Sequence, residues 1–129
     1  MVRCVAVALF CATGGAATAQ TIVDESASKI PDPVRAAVLR VVSDKFGDPV
    51  GTQFRRLGLM ESKTPNSTVV CGQINAKNSY GAYVGFKMFD YIKLEATEVA
   101  HFTNFMDLNK IRQSRPDLIE PYIKAGCWP

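Results

Sequence analysis

The chain is poor in the groups that hydrolytic, redox and metal chemistry use. It holds one histidine, His101, one tryptophan and four cysteines. It has no C-x-x-C pair, no H-E-x-x-H helix signature and no G-x-S-x-G elbow, so those redox and hydrolase classes have no motif to rest on. A structural zinc site needs four ligands, and beyond the first nineteen residues only His101 is there to join the two cysteines Cys71 and Cys127, so no metal or other cofactor is expected. Charge of one sign is scarce too. The formal net charge of +3 is too mild to imply nucleic acid or an anionic membrane as partner. No heptad pattern, low-complexity tract or internal repeat occurs, and no apolar run approaches the roughly 20 residues that cross a bilayer.

What is present begins at the first residue. Arg3 precedes an apolar stretch from Val5 to Ala12. Small residues follow and end in Ala17-Thr18-Ala19 before Gln20. These are the three regions of a secretory signal peptide over residues 1–19, with cleavage after Ala19. A lipoprotein would need a cysteine just after that site, where Gln20 stands. A secreted protein with no stable membrane insertion after cleavage is the expectation.

Cleavage removes Cys4 and Cys11 and leaves Cys71 and Cys127. In an oxidising compartment two cysteines allow one intramolecular pairing. The expected Cys71–Cys127 disulfide closes a loop of about 57 residues, worth roughly 4 kcal/mol on the chain-entropy account. It would tie the C-terminus to the middle of the fold.

Residues 20–31 read as a flexible lead-in and residues 32–129 as a single globular domain. Asp32-Pro33 is expected to open a helix with Asp32 as N-cap. Val34, Ala37, Val38, Val41 and Val42 recur at the spacing of one buried face, and Gly47 is the expected C-cap. Residues 53–60 suggest a strand whose apolar phase needs a bulge near Arg55-Arg56. Residues 68–76 predict a second strand, residues 77–81 a tight turn and residues 83–89 a third strand, with Val84, Phe86 and Met88 on one face. A fourth strand within 91–102 and helices over 105–115 and 117–124 complete the pattern. The expected class is α+β: an N-terminal helix, a three- to four-stranded antiparallel sheet and C-terminal helices tied by one disulfide, rather than a parallel βαβ fold.

The densest motif is the run from Cys71 to Phe86, CGQINAKNSYGAYVGF, preceded by Asp48-Pro49-Val50-Gly51-Thr52-Gln53-Phe54. It resembles a group of small, mostly uncharacterised secreted proteins of Gram-negative bacteria, whose pattern is C-G-x-[VI]-N-x-K-N-x-[FY]-G-[GA]-Y-x-G-[FY]. The likeness covers residues 46–90 and departs at Gly51, where Ser is frequent, and at Ala82, where Gly is. The resemblance implies a compact domain in the bacterial periplasm and brings no activity with it.

Asn75, Lys77, Asn78, Tyr80 and Tyr83 gather amide, ammonium, phenol and ring groups around one hairpin, residues 72–86. Gly72, Gly81 and Gly85 would let a ligand or another backbone approach. Two readings follow. In one, these side chains are a recognition surface for an envelope protein, a peptide or a glycan. In the other, the asparagines hold the turn and the tyrosines pack the sheet. A hydrolase-type alternative would use His101 as general base and needs a carboxylate or hydroxyl within its reach. A third alternative is an envelope assembly or structural factor. Among these, a non-catalytic binding module using the hairpin is the leading expectation.

Overall fold

The structure, a computed structural model, describes residues 20–129, so the expected signal peptide lies outside the described residues. It is an α+β fold with a five-stranded mixed sheet and three helices. The strands are β1 (Thr21–Ile22), β2 (Gln53–Met60), β3 (Ser67–Asn75), β4 (Lys87–Leu94) and β5 (Thr97–Thr103), hydrogen-bonded in that order. The helices are α1 (Asp32–Ser43), α2 (Phe105–Ser114) and α3 (Pro116–Ala125).

This corrects the expected fold in two ways. The sheet is mixed, because β1 pairs parallel to β2 while the other three pairings are antiparallel. The first described element is also a strand and not a helix: β1 and a short 3-10 helix at Ser26–Lys29 precede α1. A two-residue strand has no periodicity to read, and it makes β1-α1-β2 a small parallel crossover. Residues 20–31 are thereby built into the fold. The Val23 N–H donates to the Phe54 carbonyl at 2.9 Å. The Asp24 carboxylate accepts from the Arg56 N–H at 2.8 Å, and the Ser26 hydroxyl accepts from the Leu57 N–H at 2.9 Å.

The sheet is covered on both faces. β3 is its middle strand, and every residue from Val70 to Asn75 is buried. Side chains alternate between faces along a strand. Val70 and Ile74 therefore join Phe54, Leu57, Phe89 and Tyr91 under Val38 and Val42 of α1. Cys71 and Met88 point the other way and pack with Leu108 of α2, Ile119 of α3 and Trp128. Each fully buried large apolar side chain contributes about 1.5–3 kcal/mol. Gly72 lies inside this packing. A Cβ there would stand 2.7 Å from the Phe89 ring and 2.8 Å from Leu57, so its missing side chain makes room for the core and not for a ligand.

Polar latches fix the layers. Arg40 of α1 reaches Glu98 of β5 at 3.1 Å, and the Tyr91 hydroxyl donates to Glu98 at 2.7 Å. Burial, together with that carboxylate, pushes the Tyr91 phenol up to about 12. On the other face the Gln73 amide donates to the Cys127 carbonyl at 2.8 Å, while its oxygen accepts from Arg55 at 2.7 Å. The Cys71–Cys127 disulfide joins the same two segments, with Cα atoms 5.9 Å apart. Among the described residues no helix is long and apolar enough to cross a membrane.

Candidate functional site

β3 does not turn tightly into the next strand. The expected strand over 83–89 begins only at Lys87, and residues 76–86 form a long loop carrying one isolated bridge, Lys77 to Tyr83. Two glycines explain the difference. Gly81 and Gly85 have φ of 79° and 99°, in the left-handed region that glycine adopts at no steric cost. Gly85 thus interrupts the alternation that Val84, Phe86 and Met88 imply.

The two asparagines build this loop. The Asn78 side-chain oxygen accepts from the Tyr80 N–H at 3.0 Å and from the Ala82 N–H at 3.1 Å. Its own N–H donates to the Ala82 carbonyl at 2.8 Å. This is the local side-chain-to-backbone bonding for which Asn is favoured in turns. Asn75 is buried, accepts from the Gly85 N–H at 2.9 Å and donates to Gln53 at 3.4 Å. Both side-chain oxygens are consumed in holding the loop backbone.

The remaining three residues stand differently. Tyr83 donates its hydroxyl to the Gly51 carbonyl at 2.8 Å and so ties the loop to the turn before β2. The Lys77 ammonium lies 5.4 Å from the centre of the Tyr83 ring. Tyr80 is 93% exposed, and no described side chain bonds its hydroxyl. The structure thus brings the five residues together at one loop, Asn75 from the last position of β3 and the other four from the loop itself, but divides their work: Asn75, Asn78 and Tyr83 shape it, and Tyr80 projects from it. Sequence reading missed Val84 and Val50, both exposed. Val84 was expected on one strand face with Phe86 and Met88, and the glycine on either side of residues 82–84 is the signal against that strand.

Arg55 and Arg56 are separated by the bulge, which breaks the regular alternation of the strand. Arg55 stacks over the Phe86 ring at 3.8 Å, while Arg56 has a φ of 52° at the bulge between Arg55 and Gly58. The aromatic residues of this region lie on opposite faces: Phe105 packs on Trp128 at 4.9 Å on the α2–α3 side, and Phe102 packs on Phe46 on the α1 side of the sheet.

His101 lies on β5 opposite Asp90 of β4 and is exposed, with no hydrogen bond to a described carboxylate or hydroxyl. Asp90 instead accepts from the Tyr122 hydroxyl at 2.9 Å, and its other carboxylate oxygen is buried without a hydrogen-bond partner. Burial raises the Asp90 carboxyl above the ordinary aspartate value, against the opposing pull of Tyr122 and His101. No group of three metal-ligating side chains occurs among the described residues. Compared with protein-family models, with curated proteins and with solved structures, the chain matches none.

Proposed function

We propose that this chain is a small secreted domain of the bacterial periplasm that binds a partner without catalysis, and that the loop 76–86 is its recognition element. One observation carries the reading: Tyr80 stands 93% exposed on a loop whose backbone is pinned on both sides of it by Asn78. A large aromatic side chain held in this way gives contact area at low cost in conformational entropy. The partner is an envelope protein, a peptide or a glycan. Tyr80 and Lys77 make the contact, and the exposed Val84 and Val50 add apolar surface. Asn75 and Asn78 set the geometry.

The compartment rests on three supports: the signal-like residues 1–19, the disulfide, and the likeness of residues 46–90 to secreted Gram-negative proteins. The test is affinity capture of residues 20–129, oxidised, from an envelope extract. Tyr80→Ala is expected to keep the fold and lose the captured partner. Asn78→Ala is expected to loosen the loop and weaken capture in part. Equal capture by wild type and Tyr80→Ala would remove the site from this loop.

A further inference from the structure

A second surface lies at the far end of β2 from that loop. A groove of about 440 Å³ runs between Leu59, Met60, Glu61 and Lys63 on one side and Asp117, Glu120, Pro121, Lys124 and Ala125 of α3 on the other. We propose that it takes an extended peptide segment of a partner protein, added as a further strand to the end of β2.

Both walls of the groove hold main-chain groups without a partner among the described residues. β2 is the outer strand here, because β1 pairs only with Gln53 and Phe54. The chain itself occupies the edge as far as Leu57, through the bonds of Asp24 and Ser26 to Arg56 and Leu57. Beyond Leu57 no described residue outside β3 bonds the amides and carbonyls of Leu59 to Glu61. An edge with unpaired main chain is a template for strand addition. The facing wall is also incomplete. Pro121 sits inside α3 and has no N–H, so the Asp117 carbonyl lacks its helical donor.

Charge identifies the occupant. Glu61 pairs with Lys124 at 3.6 Å, and Asp117 pairs with Arg115 at 2.8 Å. Among the described residues Glu120 and Lys63 are the charges lining the groove that form no ion pair. They match a segment with a basic residue toward one end and an acidic residue toward the other. Met60, Pro121 and Ala125 between them suit an apolar side chain.

The test uses ¹⁵N-labelled residues 20–129, oxidised, and two acetylated eight-residue peptides. Each has a central Leu flanked by Thr, with Lys near one end and Asp near the other in the two possible orders. Titration is expected to give saturable amide shifts at Leu59, Met60, Glu61 and Ala125 for one order. Glu120→Lys should weaken that peptide about fivefold, the size of one exposed ion pair. Pro121→Ala should weaken it while leaving the melting temperature equal or higher, since Ala restores the helical donor; a merely structural Pro121 would leave the affinity alone. Absence of these shifts for both orders at about 2 mM, a concentration that reveals even weak binding, would overturn the proposal. So would shifts confined to β5 or to the loop 76–86, or an affinity unmoved by both variants.

Discussion

Gly58 shows how closely the C-terminal segment sits on the sheet. A Cβ at that position would lie 2.2 Å from the Ala125 carbonyl oxygen and 2.8 Å from the Cys127 sulfur. Neither neighbour is the free end of a flexible side chain, so the backbone itself must move. Gly58→Ala is therefore expected to destabilise by about 3 kcal/mol, the upper range for overpacking a core, and urea denaturation checks it. Asp90 predicts the opposite sign. Its buried, unpartnered oxygen disfavours the charged form in the fold, so its folded value lies above the unfolded one. The cost is present at neutral pH and is relieved as pH falls through the raised value toward the ordinary aspartate range. Asp90→Asn keeps an acceptor for Tyr122 and removes the charge. It is expected to stabilise by about 1 kcal/mol at neutral pH, with the gain gone below about pH 3.9. Equal gains at both pH values would contradict this.

At the scale of elements, the segment 20–29 closes part of the β2 edge, and at Arg56 it does so through one carboxylate. Burial alone would raise the Asp24 carboxyl. Bonds from the Ser26 hydroxyl and from the Arg56 and Ser26 amides, with the Lys29 charge, outweigh it and hold Asp24 below its ordinary value. The stability it contributes is thus present above the ordinary aspartate range and lost as pH falls through the lowered value. Asp24→Ala is expected to cost about 1–2 kcal/mol, as losing a charged acceptor of backbone N–H groups does. Amide hydrogen exchange at Arg56 and Leu57 should quicken with it. Unchanged exchange there would show that Asp24 does not hold the edge.

Legibility differed by element for physical reasons. α1 was readable because its valines recur on one face, although the helix caps on Pro31 and Asp44 and not on Asp32 and Gly47. β2 was readable to the residue, bulge included, because Phe54, Leu57 and Leu59 break phase where the bulge falls. β1 was not, since two residues carry no pattern and their pairing depends on the Phe54 backbone. The boundary between loop and β4 was misplaced because alternation continues through Val84 and Phe86 while the backbone does not. The site was legible as a cluster of residue types. Which of them bond backbone and which face solvent was not, because an asparagine serves either role with the same sequence neighbours.

For the whole molecule, one covalent tie joins the middle strand to the last three residues. The Cys71–Cys127 disulfide spans a sequence separation of 56, and breaking it is expected to cost roughly 4 kcal/mol. The C-terminal segment and Trp128 would then lose their anchor on the α2–α3 side. Paired denaturation curves of oxidised and reduced protein measure this, and coincident curves would show that packing alone holds the segment.

The same architecture frames the functional claim. A sheet covered on both faces leaves its ends and edges for recognition, and the loop 76–86 presents its most exposed aromatic side chain from a pinned backbone. The direct test is titration calorimetry of the captured, purified partner against wild type and Tyr80→Ala, with melting temperatures measured beside it. Tyr80→Ala is expected to weaken binding at least about tenfold, or 1.4 kcal/mol, with an unchanged melting temperature. Equal affinity of the two proteins would contradict it.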